Sequence, residues 1–329
     1  MNITIIGDGG WGTAIGLLLN SYGHAVTLWG PFPDYLEEVR ARGENTRFLP
    51  GVPLPDTLRW TPDPAAAAAG AEAFVLASPS KFFADVCGKF KGLIPPGALV
   101  VSLTKGLCEA THCRMSELAQ EILGLDAIAV LSGPSHAEEV ARRIPTAVVA
   151  AAEDEGLARR VQRLFSGPAF RVYTSADPLG VEIGGAVKNV IAIAVGASDG
   201  LGFGDNTRAA LITRGLAEIT RFGIALGACP GTFAGLSGVG DLIVTCTSRH
   251  SRNHSVGERL GHGESIDAIL GSMKMVAEGV WNAKVIHTLG KTYAVEMPIT
   301  DTVYGLCYEG LSAAKSVATL MTRDMKAES

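Results

Sequence analysis

What this 329-residue chain lacks narrows its function before any motif is read. Its six cysteines (Cys87, Cys108, Cys113, Cys229, Cys246 and Cys307) are scattered and form no Cys-x-x-Cys pair. That argues against a disulfide framework or a cysteine-built zinc site and for buried or spectator thiols. No His-x-x-His, His-Glu-x-x-His or acidic cluster supplies a metal site. Charged residues make up only 19% of the chain and the net charge is −5, with both signs interspersed. Bulk attraction to nucleic acid or an anionic membrane is therefore missing, and an anionic ligand must be gripped locally. The first residues, MNITIIG, read as a strand, with no basic segment and apolar run of leader length. The most apolar segment, around 183–197, is interrupted by Lys188-Asn189 and falls short of the roughly 20 residues of a bilayer span. A soluble, cytoplasmic protein without internal repeats is expected.

What is present is 47% hydrophobic, enough for a large core that divides into two domains at this length. Up to about residue 180, short β-branched runs (2–7, 24–29, 73–78, 98–104, 127–133, 146–152 and 170–174) alternate with helical stretches. The runs are almost continuously apolar, as strands covered on both faces must be. That rhythm predicts a doubly wound, Rossmann-type α/β domain over 1–180. From 181 to 329 the pattern is helical throughout, so an all-α substrate and catalytic domain is expected there.

The first strand runs straight into Gly7-x-Gly9-x-x-Gly12, and a helix follows. With strand and helix on the required sides, the loop reads as a dinucleotide site: glycines for the tight turn, for approach of the pyrophosphate and for helix–strand packing. Choice of cofactor is not legible. Strand two should end in an acid for the ribose of NAD or be followed by an arginine for the NADP phosphate. The chain instead reads LWGPFPD, with Gly30, Pro31 and Phe32 at that point and Asp34 late.

In the second half, VEIGGAVKNVIAIAVGAS (181–198) places Lys188 and Asn189 in a helix that is otherwise apolar nearly all round. Such a helix is buried, and a lysine is almost never buried without a partner. Either Lys188 snorkels outward, with Glu182 or solvent satisfying it, or it does chemistry. Beside a substrate carbonyl its proton would serve a hydride transfer, a general-acid role worth roughly 10²–10⁴-fold.

Three further stretches add polar groups where ligands bind. Lys105 lies just past a strand's carboxyl end in SLTKGL, the ligand-binding edge of open α/β sheets. Ser135 in LSGPSHAEEV opens a helix, with Glu138 spaced for a capping box, and the same helix start would attract a small anion. In GVGDLIVTCTSRHSRNHSVG, Asp241 follows glycines, and Ser251, Arg252 and Asn253 have the chemistry of a phosphate clamp. A solvated basic loop is the plainer account of that last segment.

Taken together, GDGGWGTAIG, NTRFLPGVPLP, SLTKGL, LSGPSHAEEV, EIGGAVKNVIAIAVGASDGL, GDNTRAALITRGLAEI, LSGVGDLIVTCTSRHSRNHSVG and VAEGV resemble the bacterial NAD(P)-dependent glycerol-3-phosphate dehydrogenases, in order and over essentially the whole chain. The resemblance implies that Lys188 is the catalytic proton donor and acceptor. It implies that Lys105, Gly133, Ser135, Lys188, Asp241, Ser251, Arg252 and Asn253 contact the substrate. Against the cofactor it places Gly10, Trp11, Lys105, Ala137, Arg252, Val276 and Glu278, beside Gly7, Gly9 and Gly12 of the loop. The expected reaction is reversible reduction of dihydroxyacetone phosphate to sn-glycerol 3-phosphate with NAD(P)H, feeding glycerophospholipid synthesis, in a homodimer without metal. Two departures stand out. Gly10 replaces a usual serine, and Pro31-Phe32 replaces a frequent His-Arg type pair near the adenosine ribose, which leaves NAD open beside NADP. Two other readings compete: a hydroxy-acid or sugar-acid dehydrogenase of the same build, and a non-catalytic nucleotide sensor.

Overall fold

The computed structural model describes residues 1–273 and 275–321. The chain divides into two compact units, Met1–Glu182 and Ile183–Ser329. Unit one is built on eight strands: β1 (Asn2–Ile6), β2 (Ala25–Trp29), β3 (Arg59–Thr61), β4 (Ala73–Leu76), β5 (Leu99–Ser102), β6 (Ala129–Ser132), β7 (Thr146–Ala151) and β8 (Phe170–Ser175). Their order in the sheet is β3-β2-β1-β4-β5-β6-β7-β8. All neighbours pair parallel except β6 and β7. Seven helices connect them: α1 (Gly10–Ser21), α2 (Pro33–Arg42), α3 (Pro64–Ala68), α4 (Phe83–Lys89), α5 (Met115–Leu123), α6 (Ala137–Ala141) and α7 (Glu155–Phe165).

Alternate strand residues feed separate cores on the two faces of the sheet. Ile3, Ile5, Val75 and Val101 belong to one, and Ile6, Trp29, Phe74, Leu76 and Val100 to the other. Burial on both faces explains why these strands read as unbroken apolar runs. The sequence reading missed β3, whose three residues pair only with β2. The strand order reverses between β1 and β4, and ligands of doubly wound folds bind at the carboxyl ends of such strands.

Unit two has no strand among its described residues. Its helices are α8 (Pro178–Gly200, whose first turn lies before the unit boundary), α9 (Asp205–Ala225), α10 (Pro230–Phe233), α11 (Asp241–Thr247), α12 (Arg252–Gly261), α13 (Ile266–Ser272), α14 (Glu278–Thr292), α15 (Pro298–Tyr308) and α16 (Ala313–Met321). At 23 residues α8 is longer than the sequence suggested and matches a membrane span in length and hydropathy, yet 94% of its apolar window is buried by protein.

The approach of α12 to α8 is set by glycine. A Cβ on Gly257 of α12 would lie 2.0 Å from the Ile193 carbonyl oxygen, and one on Gly196 of α8 would lie 2.0 Å from that of His254. Backbone thus meets backbone, which only hydrogen in place of a side chain permits. The contact sets Ser251, Arg252 and Asn253 at the start of α12 against the helix that carries Lys188. Another buried acid is structural: Glu218 of α9 accepts from the Ile299 and Thr300 amides and the Thr300 hydroxyl, capping α15. Burial pushes its carboxyl above the usual range.

Candidate active site

In unit one the glycine loop does what the spacing asks. Gly7 has φ +133°, and a Cβ there would come within 2.8 Å of the Ala77 backbone, where β1 and β4 part. A Cβ on Gly12 would sit 2.1 Å from the Gly7 carbonyl oxygen, so α1 packs directly on the end of its strand. Gly9 is the N-cap of α1, no side chain caps the helix, and the space above Gly9 is open. Unsatisfied first-turn amides facing open space form an anion cradle, which fits the pyrophosphate of a dinucleotide.

Gly10 is tight instead. A Cβ would lie 2.4 Å from the Phe48 carbonyl oxygen and 3.7 Å from the Ala137 Cβ. The segment carrying Phe48 covers the position where the resemblance implied a serine, and glycine leaves room for it. Asn45, fully buried, fixes the segment by donating to the Asp8 carbonyl at 2.8 Å and to the Thr13 hydroxyl at 2.8 Å. The sequence reading gave Asn45 no role, although NTRFLPG was among its motifs. Trp11 is half-buried against the core under α1.

Lys105, Gly133 and Ser135 come together. The Lys105 ammonium donates to the Gly133 carbonyl at 3.0 Å, and the Ser135 hydroxyl donates to the same oxygen at 2.8 Å. Gly133 has φ +142°, and a Cβ there would press on Val148. The capping box expected of Ser135 and Glu138 is not formed. His136 is the N-cap of α6, without a side-chain cap, because Ser135 turns back to Gly133.

In unit two Lys188 is 5% exposed. Its ammonium donates to Asp241 Oδ1 at 2.7 Å and to Thr245 Oγ1 at 2.7 Å, so it does not snorkel to bulk water. Asp241 and Thr245 lie one turn apart on α11, directly after a π-helical turn at Leu236–Gly240, and π-turns concentrate at functional sites. An unpaired ammonium here would cost several kcal/mol, so the carboxylate is what permits its burial. Glu182, the other candidate partner, is occupied by Arg114 at 2.9 Å and by the Ser116 amide and hydroxyl. Burial pushes its carboxyl up while Arg114 pulls it down. Among thiols, burial drives Cys246 up to about 12, too high for a thiolate near neutral pH.

The segment that offered either a phosphate clamp or a solvated basic loop is the end of α11, a short connection and the start of α12. Ser251 is the N-cap of α12, accepting from the His254 amide, and Arg252 and Asn253 form its first turn. Asn253 is 8% exposed and its amide spans three helices: it donates to Asn189 Oδ1 and accepts from the Gly279 amide, both at 2.9 Å. Arg252 is exposed and donates to the Val276 carbonyl at 2.6 Å, next to Glu278 at the start of α14. Thr245 is a partner of Lys188 that sequence alone did not single out. Its position four residues after Asp241 was the available signal. No metal-binding group of His, Cys, Asp or Glu exists among the described residues, and all six cysteines are free thiols.

A dinucleotide cradle on a doubly wound sheet and a buried, carboxylate-held ammonium in a helical unit define the class of nicotinamide-nucleotide-dependent dehydrogenases. The model of the NAD-dependent glycerol-3-phosphate dehydrogenase N-terminus matches residues 2–158, and that of the C-terminus matches 177–318. The chain belongs to the NAD-dependent glycerol-3-phosphate dehydrogenase family. It is 50% identical to the glycerol-3-phosphate dehydrogenase [NAD(P)+] of Citrifermentans bemidjiense, covering 99% of this chain and 98% of that one. It is 46% identical to the same enzyme of Chlorobium limicola, over 100% and 99% of the two chains. Among solved structures, the glycerol-3-phosphate dehydrogenase of Coxiella burnetii superposes with a TM-score of 0.94 at 39% identity, covering 98% of this chain and 99% of that one. The resemblance read from the motifs and the doubly wound-plus-helical architecture both stand, and the chain is an oxidoreductase that uses NAD(P)H.

Proposed function

We propose that the chain reversibly reduces dihydroxyacetone phosphate to sn-glycerol 3-phosphate, with Lys188 as the proton donor and acceptor. Family membership supports the reaction. The observation that carries the role of Lys188 is its burial, with its ammonium held by Asp241 and Thr245.

When bound, the nicotinamide supplies the hydride that goes to the carbonyl carbon. The Lys188 ammonium gives one proton to the carbonyl oxygen as that oxygen gains charge, and in the reverse direction the neutral amine takes it back. Asp241 and Thr245 hold the ammonium in a single geometry, so little reorganisation accompanies the transfer. Arg252 and Ser251, at the start of the ten-residue α12, offer a guanidinium, a hydroxyl and a helix N-terminus to the phosphate. Gripping a phosphate remote from the reacting carbon turns binding energy into orientation. Lys105, already donating to Gly133, contributes a second cation, with Gly133 and Ser135 beside it. Ala137 and Trp11 would wall the dinucleotide beside Gly7, Gly9, Gly10 and Gly12, and the resemblance also assigns Val276 and Glu278 to the cofactor. Asn253, committed to Asn189 and Gly279, positions α8 and α14 as well as adding polarity.

The phosphate clamp favours this substrate over hydroxy acids, and the joint presence of Lys188, Lys105, Asp241 and Arg252 favours an enzyme over a sensor. The product is the backbone of glycerophospholipids, so supply to their synthesis by a cytoplasmic homodimer belongs to the same proposal. Initial rates with dihydroxyacetone phosphate, using NADH and NADPH side by side, test substrate and cofactor together. Turnover of a hydroxy acid with none of dihydroxyacetone phosphate would replace the reading.

A further inference from the structure

The end of β2 holds neither of the side chains that ordinarily read the adenosine ribose, yet a carboxylate stands there. It comes from Asp8, the variable residue between Gly7 and Gly9. A Cβ on Gly30, the first residue after β2, would lie 2.4 Å from Asp8 Oδ2 and 2.6 Å from its Cγ. The Asp8 side chain therefore occupies the space over residue 30 that a strand-two acid would otherwise fill, and glycine at 30 leaves room for it. Asp8 is 9% exposed, and its Oδ2 has no hydrogen-bond partner among the described residues. Buried polar atoms are nearly always paired, so an orphaned carboxylate oxygen in a ligand crevice points to a ligand that supplies the donor.

The surroundings hold the group in place without using it up. The Asp8 carbonyl accepts from Asn45 at 2.8 Å, so the loop backbone is pinned. The nearby charged and titratable groups are Arg47, from the segment after α2, and Tyr35, from α2. Burial pushes the Asp8 carboxyl up to about 6, and Arg47 pulls against that rise. The group is therefore mostly ionised at neutral pH.

We infer that Asp8 is the cofactor-specificity residue of this chain: delivered from the glycine loop to the end of β2, its carboxylate accepts from the ribose hydroxyls of NAD(H) and repels the 2′-phosphate of NADP(H). A vicinal diol offers two donors to an acceptor-only group, whereas a 2′-phosphate offers like charge and no donor. Pro31 and Phe32 supply no compensating cation. Arg47, exposed and lying over the Tyr35 and Phe48 rings at 5.9 and 5.1 Å, is the one basic neighbour that could draw a phosphate instead. The inference rests on the dinucleotide reading of unit one and sharpens it.

The test is calorimetric titration of the purified full chain with NADH and with NADPH, and separately with 5′-AMP and 2′,5′-ADP, in the absence of substrate. The native chain is expected to bind NADH at least tenfold tighter than NADPH, with the same order for the two fragments. Asp8→Ala is expected to lose tenfold or more for NADH while NADPH is unchanged or improves, so the preference collapses. Asp8→Asn, which keeps the shape and an acceptor, is expected to retain part of the NADH affinity and gain NADPH binding. Arg47→Ala is expected to keep the NADH preference. Equal or tighter binding of NADPH by the native chain would overturn the inference. So would equal losses for both nucleotides in the Asp8 variants, or a preference that follows Arg47. In each of those cases the dinucleotide site itself stands. Binding of neither nucleotide by the native chain would overturn the dinucleotide reading and this inference with it.

Discussion

The two units present chemistry in opposite ways. In the sheet unit the candidate ligand groups are backbone amides, glycine hydrogens and side chains on loops past the strand ends, such as Lys105 and Ser135. The two cores lie beneath them and do not include them. In the helical unit the proposed proton donor Lys188, its carboxylate partner Asp241 and the asparagine bridge are all buried. They hold helices together, and in the proposed reaction they would serve the substrate as well. Loop groups on a finished scaffold change without unfolding it, whereas a buried ion pair cannot lose one member cheaply. Function in the sheet unit should thus be separable from stability, and in the helical unit the two should be coupled.

The strongest way to break that contrast is Lys188→Met. A loss of about 10²–10⁴-fold in kcat is expected from removing a general acid, with NADH affinity kept, since the dinucleotide cradle lies in unit one. Rates near the native value with normal NADH binding would remove Lys188 from the mechanism. Asp241→Ala comes next. It strands a buried ammonium and is expected to cost about 3–5 kcal/mol of stability, read as a fall in denaturation midpoint. The double variant Lys188→Met with Asp241→Leu removes both charges. It should recover most of that stability and none of the activity, separating the two roles that the single variants confuse.

How much of this was legible in the sequence divides along the same line. Strand and glycine-loop signals are local: Gly7, Gly9 and Gly12 follow β1 directly, and buried parallel strands read as apolar runs. Only β3 escaped, because three residues carry no periodicity. Lys188 was conspicuous as a charge in an apolar helix, but its partners lie 53 and 57 positions away on α11. Nothing local says that Asp241 and Thr245 face it. The hydroxyl-rich stretch from Thr245 to Ser255 resembled a loop because helix caps and loops share Ser, Thr and Asn. Asp8 was invisible for another reason. Its spacing in the glycine loop is unremarked, and only the three-dimensional approach to Gly30 gives it a place.

Asp8 sharpens the comparison, since here the sheet unit buries a charge as the helical unit does, but with Oδ2 unpartnered among the described residues. Its carboxyl stands at about 6 against an ordinary 3.8. Between those values the folded chain holds a proton that the unfolded chain releases, so stability falls as pH rises through the window and stays lower above it. The shift of about two units corresponds to at most about 3 kcal/mol. Asp8→Asn is therefore expected to leave stability unchanged near pH 3.5 and to raise it above pH 6, by up to that amount. Melting temperatures of both proteins from pH 4 to 8 check the sign. A bound nucleotide that donates to Oδ2 should shrink the difference.

Arg252→Ala is the smallest effect and the sharpest probe of separability, because Arg252 belongs to the helical unit but is exposed. Its one resolved bond is to the Val276 carbonyl, at 2.6 Å. If coupling of function to stability follows burial and not the unit, the variant should melt close to the native chain. A charge-assisted hydrogen bond is worth about 1.5–3 kcal/mol, so its KM for dihydroxyacetone phosphate should rise by roughly 10–100-fold. Because a phosphate is gripped equally in ground and transition states when it only anchors, kcat should change less than KM. A fall in kcat as large as the rise in KM would mean that the guanidinium also orients the reacting carbonyl. A large loss of stability with unchanged KM would mean instead that Arg252 ties Val276 to the start of α12 and that the phosphate is held elsewhere.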